Sequence, residues 1–438
     1  MPAQEDSTGG PVPPESRTED EQPVQWRLTF LVAIIAIGLI AIAFTAGFLA
    51  LYMFLYQAVW SRTDFVAKNR WMIPAGVLVF SLLVGLCQKY LRAPNVIRGS
   101  FVDAMKEGKT EDYRTFPGAF LSSIFSLLSG AIVGPEGTIS IMVGQISSWV
   151  RDTFGIGRTS KPVQQGFDVA ALSSAFNGLI GNPLFTGVFA TEYQIGKKDA
   201  LTFMIWNLVA GIVGYLFYLS LGMASFASMI TFPAVDAVTP VMVLYAILLG
   251  GVGALIALFT GLSLKGFGTV MERVFGERVV LRVLAAGIII AAVGYFLPAL
   301  LFSGEIQIHD IIANPAGVGV AMLLLYAVLK ILLLALSFKS GYIGGPIFPV
   351  LFSATMVGLA LSLVFPGVPV AVFVLCIETA AFALALGAPL SAILLVLVIS
   401  APGPHMTVLV VVSATTALVI SAVITQLRAR RTPPVTAA

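Results

Sequence analysis

Apolar runs close to the length of a bilayer crossing dominate this chain, and they leave it few ways to fold. Leu28 to Tyr56 is the first, and Trp71 to Leu86 follows after a short polar turn. Hydrophobic residues make up 58% of the chain and charged residues 11%, against about 25% charge in a soluble domain. Hydrocarbon offers no partner to a peptide N–H or C=O, so a spanning backbone must bond to itself, as a helix or a closed barrel. Runs of roughly 20 apolar residues read as helices. The fold class is an all-α polytopic membrane protein, with the lipid bilayer as its solvent.

Several later runs are shorter than a full span or are broken by Gly and Pro: Thr138–Val150, Pro346–Phe365, and the two pieces flanking Gly387-Ala388-Pro389-Leu390. Irregular backbone survives at membrane depth only where protein or a water-filled cavity surrounds it. The break Gly134-Pro135-Glu136-Gly137-Thr138 also carries a carboxylate. A charge at mid-membrane costs roughly 2.5–3.5 kcal/mol on insertion scales. A half-helix that starts inside the membrane points free N–H groups and a positive dipole end into the break, which attracts an anion. Glu136 beside such an end can compete with an anion for the same place and act as a gate. The alternative is a carboxylate on a re-entrant loop reaching interfacial water.

The breaks recur. GPEGT (134–138) precedes AFNGLIGNPLFTGVF (175–189), and GYIGGPIFP (341–349) precedes ALALGAPLSAILLV (383–396). Interrupted segments in corresponding places of two halves point to a transporter-like site between them. The expected organisation is a polar tail over 1–26, a first transmembrane half over 27–230, a second over 231–427, and a basic tail over 428–438. The tail before Trp26 holds six of the 22 acidic residues and several prolines, a composition that does not fold. The basic stretches near Lys89 to Arg114 and at the C-terminal end place both termini in the cytoplasm by the positive-inside rule.

Cys87 and Cys376, the chain's two cysteines, sit in apolar segments as packing residues. The two histidines, His309 and His405, are far apart, and no HExxH, CxxC or Walker pattern occurs. No metal, cofactor or nucleic-acid partner is expected.

The ordered set of motifs resembles the CLC chloride channel and transporter family. Gly134–Thr138 resembles its G-[KR]-E-G-P, whose Glu is the gate. Ala175-Phe176-Asn177 with Pro183-Leu184 is similar to its A-F-N-A-P-L, with four residues inserted. Ser303-Gly304-Glu305 resembles its S-G-x-G/E stretch, and Lys330 stands where the family has a buried Lys or Arg. Ser340-Gly341 through Pro349 resembles S-G-x-x-G-G-x-F-x-P, and Ala388-Pro389-Leu390 matches the second A-P-L. The resemblance implies an inverted repeat of two helical halves and a homodimer with one anion pathway per subunit. It implies Glu136 as gate and Gly134, Gly137, Thr138, Gly345, Ile347 and Phe348 as the anion-binding stretch.

The departures bear on the ion. Leu91 takes the place of the pathway Ser, with Asn95 or Ser100 as substitutes; Thr138 replaces a Pro; Pro346 lacks the N–H the family supplies there. No tyrosine follows Leu390. Glu192 falls one residue before the family's proton Glu, so it is either on a proton pathway or a helix-end carboxylate near Lys197 and Lys198. Glu378 is a further proton site, a partner for Lys330, or an interfacial acid. Asp168 reads as a cap for the helix carrying AALSSAFNG. The expected function is movement of chloride across the cell membrane through a glutamate-gated pathway. The alternatives are another small anion such as fluoride, or proton-coupled chloride antiport. An intramembrane enzyme would need a second catalytic group at helical spacing from Glu136, and a cation-coupled transporter would need more intramembrane carboxylates.

Overall fold

The computed structural model describes residues 28–60, 69–94, 112–155, 161–192, 199–226 and 230–431. The polar tail over 1–26, Asn95, Ser100, Lys197 and Lys198 lie outside the described residues. The first half runs α1 (Leu28–Val59), α2 (Met72–Tyr90), α3 (Phe116–Leu128), α4 (Pro135–Thr153), α5 (Lys161–Ala175), α6 (Asn177–Ile180), α7 (Pro183–Glu192) and α8 (Ala200–Ser220). The second runs α9 (Pro240–Phe275), α10 (Val279–Phe296), α11 (Gln307–Ala313), α12 (Pro315–Val318), α13 (Val320–Ser340), α14 (Ile347–Val364), α15 (Val370–Ala385), α16 (Pro389–Ser400) and α17 (Pro404–Arg431). Among the described residues, eight helices are long and apolar enough to cross a membrane. α17 runs through Arg431, so the basic stretch begins as helix and not as a separate tail.

The packing repeats between the halves. α5 packs on α1, α4, α7 and α8, and α15 packs on α9, α14, α16 and α17 in the same relation. The halves meet where α2 lies on α10, where α7 lies on α16, and where the loops before α4 and α14 cross.

That crossing fixes the two-fold. Gly134 N–H donates to Gly345 O at 2.8 Å, and Gly345 N–H donates to Gly134 O at 2.8 Å. One turn back, Ile132 N–H donates to Ser337 Oγ at 3.1 Å, and Ile343 N–H donates to Ser126 Oγ at 3.0 Å. Glu136 and Ile347 share the 211-residue separation of Gly134 and Gly345, and the same offset relates Ser126 to Ser337 and Ile132 to Ile343. At that offset SLLSGAIVGP (126–135) overlies SFKSGYIGGP (337–346), and six of ten residues are identical. The glycines admit the close approach: a Cβ on Gly137 would overlap Gly344 O, and one on Gly344 would overlap the Val133 side chain.

Candidate functional site

α4 and α14 begin beside this crossing, deep in the protein. Gly134 caps α4 in an extended conformation and Pro135 opens it, where a missing N–H costs nothing. Pro346 likewise precedes α14, and Ile347 supplies its first free N–H. Glu136, 4% exposed, leaves the first turn of α4 and crosses to the other half. Its Oε1 accepts from Ile347 N–H at 2.6 Å, and Phe348 N–H also faces the carboxylate. Its Oε2 is buried without a hydrogen-bond partner among the described residues. A carboxylate therefore sits on the positive end of a half-helix, the place that favours negative charge.

The chamber around the carboxylate is apolar, lined by Phe176, Leu179, Phe185, Phe348 and Leu395, and its free space is only about 10 Å³. That is barely room for a water. The N-terminus of α14 is thus occupied by the Glu136 carboxylate.

The anion-binding stretch expected from sequence divides in two. The N–H groups of Ile347 and Phe348 face the Glu136 carboxylate. Gly134 and Gly345 do not offer N–H donors to an anion, because each N–H is used by the other's carbonyl. Thr138 donates its hydroxyl to Pro135 O at 2.7 Å, inside its own helix. Gly137 lies against Gly344, where it permits the crossing. The N–H groups of Gly134 and Gly345 and the Thr138 hydroxyl are thus engaged within the crossing.

Lys330 is fully buried. Its Nζ donates to the carbonyls of Phe302 at 2.9 Å, Leu300 at 3.1 Å and Leu301 at 3.4 Å. It also stands 4.5 Å from the centroid of the Phe352 ring, a cation–π contact on α14. The expected pairing of Lys330 with Glu378 is not formed. Glu378 bonds instead to Thr355 Oγ1 at 2.6 Å, between α15 and α14. The acid within electrostatic reach of Lys330 is Glu305, three residues past the carbonyls the lysine holds.

Glu192 ends α7 and reaches the start of α16. Its carboxylate accepts from Leu390 N–H and Ser391 N–H, both at 2.9 Å, and from Ser391 Oγ at 2.6 Å. Ala388 gives α16 no side-chain cap, so the first half supplies one. The lysines expected beside Glu192 lie outside the described residues; its partners here are the first residues of α16. Asp168 lies inside α5 and caps nothing: it pairs with buried Arg151 Nε at 3.0 Å and accepts from Ser147 Oγ at 2.5 Å. This joins α5 to the far end of α4.

The residues that sequence reasoning passed over are Ser126, Ser337 and Phe302. The serines anchor the two crossing loops, and the ten-residue repeat at constant offset was the signal for them. Phe302, with φ of 61°, forms part of the lysine-held turn and has no such signal.

A second cavity, of about 390 Å³, lies where α1 ends and α11 begins. Phe348 lines both this cavity and the chamber of Glu136.

Comparison with known proteins agrees with this architecture. A model of the voltage gated chloride channel family matches residues 80–422. YfeO of Escherichia coli and of Escherichia fergusonii, each named as a candidate ion-transport protein, is 26% identical over 279 residues. That match covers 59% of this chain and 61% of the relatives' length. Among solved structures, a slow cyanobacterial Cl⁻/H⁺ antiporter superposes with a TM-score of 0.72 at 20% identity, over 91% of this chain and 96% of that one. A CLC-type fluoride/proton antiporter gives 0.72 at 18%, over 91% and 97%. A eukaryotic CLC transporter gives 0.70 at 17%, over 90% and 72%. With the family model spanning most of its length and the inverted repeat built as described, the chain belongs to the CLC family of voltage gated chloride channels and transporters.

Proposed function

We propose that the chain moves chloride across the cell membrane along a pathway closed by Glu136. The observation that carries this reading is the 2.6 Å hydrogen bond from Ile347 N–H to Glu136 Oε1. It places a side-chain anion, borne by one half, on the helix end of the other half where a free anion would be held. Burial opposes the charge of the carboxylate and the helix end favours it, so protonation releases it from Ile347 and frees the helix end. Anion flux then depends on pH chiefly through this group. The subunit works in a homodimer with both termini in the cytoplasm.

Purified protein in liposomes loaded with chloride or fluoride tests the proposal. Efflux of chloride with a pH-dependent rate is expected, and Glu136→Gln is expected to flatten most of that dependence. A wild-type pH profile in the variant would remove Glu136 as the gate. Faster fluoride than chloride efflux would assign the other ion. Cross-linking at low protein concentration in detergent checks the dimer; a monomer that still transports would refute it.

A further inference from the structure

The large cavity holds a second carboxylate. Tyr56, Gln57, Ser225, Glu305, His309 and Phe348 give it its polar groups and its floor. Glu305 Oε2 is buried and without a hydrogen-bond partner among the described residues. The residue is held by a built device. Lys330 binds the three carbonyls just before it, Phe302 N–H donates to Gly130 O at 3.1 Å, and Gly304 turns the chain with φ of 107°. A Cβ on Gly304 would stand 3.0 Å from Lys330 Nζ and 2.7 Å from the Phe352 ring, so only glycine lets the turn sit on the lysine. That turn fixes Glu305 against the cavity, and Phe348 borders both this space and the chamber of Glu136.

The charged and titratable groups that face Glu305 are Tyr52 and Tyr56 from α1, Glu136 from α4, Lys330 from α13 and His309 from α11. Glu136 and Glu305 are close enough to repel each other. Lys330 also acts electrostatically on Glu305; its donors are committed to carbonyls, so it offsets part of the carboxylate's charge without a direct ion pair among the described residues. A charged Glu305 therefore puts negative potential in the space an anion must cross before it reaches Phe348, and next to the carboxylate that must move.

We propose that Glu305 is a specificity-determining residue of the anion pathway, a vestibule carboxylate whose charge bars anions and whose protonation admits them. This rests on the reading of Glu136 as the gate, and the two act in series. No proton passes between them in this scheme: Glu305 takes its proton from vestibule water and returns it there.

The test is chloride efflux from liposomes over a series of symmetric pH values, for wild type, Glu136→Gln, Glu305→Gln, the double variant and His309→Ala. In Glu136→Gln a smaller rise of flux at low pH should survive. The double variant should lose it and run roughly tenfold faster at neutral pH, the effect of one unit charge about 12 Å away at an effective dielectric of about 20. Glu305→Asp in the Glu136→Gln background should restore the response, which a merely structural role would not do, and His309→Ala should leave it in place. A residual pH response that persists in the double variant overturns the proposal, as does its absence from Glu136→Gln. A full wild-type profile in Glu136→Gln would instead overturn the gate reading. Thermal unfolding in detergent shows whether each variant is folded, and Glu305→Asp carries the test if Glu305→Gln is not.

Discussion

Adding one methyl group at Gly134 should push the gate open without breaking the fold. Gly134 has φ of −94° and ψ of 161°, a conformation any residue adopts, so Gly134→Ala meets no backbone strain. The new Cβ would overlap Glu136 Oε2 and stand 2.7 Å from its Cδ. These are the end atoms of a rotatable side chain, so the carboxylate moves and the backbone does not. The loss is the hydrogen bond to Ile347 N–H. A bond to a charged group is worth about 1.5–3 kcal/mol, a shift of roughly ten- to a hundredfold in occupancy of the helix end at 1.4 kcal/mol per decade. Chloride efflux at neutral pH should rise by that order, up to the limit set by the vestibule. Stability should fall only by about the preference of an N-cap for Gly over Ala, at most ~1 kcal/mol.

The matched control is Gly137→Ala. Its Cβ would overlap Gly344 O and stand 2.6 Å from Gly345 N. These are backbone atoms of the crossing loop. Ala gains about 1 kcal/mol of helix propensity there. Against it stand overpacking at about 1–3 kcal/mol and damage to the paired hydrogen bonds of Gly134 and Gly345. Gly137→Ala should therefore unfold at lower temperature and transport less. If Gly134→Ala also loses stability and shows no gain in efflux, the carboxylate is not the movable element at the crossing.

Three further outcomes are expected. Lys330→Met should cost about 3–5 kcal/mol, since it strands three buried carbonyls; its unfolding temperature in detergent should fall well below that of the exposed-site control Lys265→Met, and equal effects would refute the buried role. Glu192→Gln should lower stability by about 1–2 kcal/mol, from a weakened cap and the lost charge at the start of α16. Proton flux driven by a chloride gradient separates this from transport: proton movement lost in Glu192→Gln with stability unchanged would assign the residue to a proton path instead. Chloride titrated calorimetrically into the wild type should bind weakly, because Pro346 and Leu91 bring no donor and the helix end is already filled by Glu136; tight binding would show that other groups complete the site.

The class of fold was legible because hydrocarbon allows so little else, and the breaks were legible because Gly and Pro are rare signals in apolar sequence. Glu136 stood out as a charge in a run that tolerates few. Less legible was the use of each residue around it. Gly134 and Gly345 lie in the stretch named from sequence, yet their N–H groups are taken by each other's carbonyls, which sequence order does not reveal. Lys330 and Glu378 were natural partners as the two charges left in apolar runs. The lysine instead binds three carbonyls of a turn with a left-handed residue at Phe302, and such a turn leaves no composition signal. Asp168 looked like a cap because of its place before a motif; its real partner, Arg151, is on another helix.

The two-fold frame explains why a single carboxylate suffices. Residues 126–135 and 337–346 are nearly the same segment, cross each other, and launch equivalent half-helices. At the first position beyond the repeat the halves differ: Glu136 in one, Ile347 in the other. The frame brings Glu136 to the start of the opposite half-helix, so α14 receives a charge. A second carboxylate at 347 would have placed two like charges across the crossing, and like charges at short range in a dry site do not both ionise. The isoleucine keeps its backbone N–H as the donor that Glu136 needs. On the proposed reading, the asymmetry at one residue pair makes one half the holder of the anion and the other the source of its competitor. Glu305 follows the same logic at greater distance, set on the second half, facing the gate of the first, and steadied by a lysine that belongs to its own half.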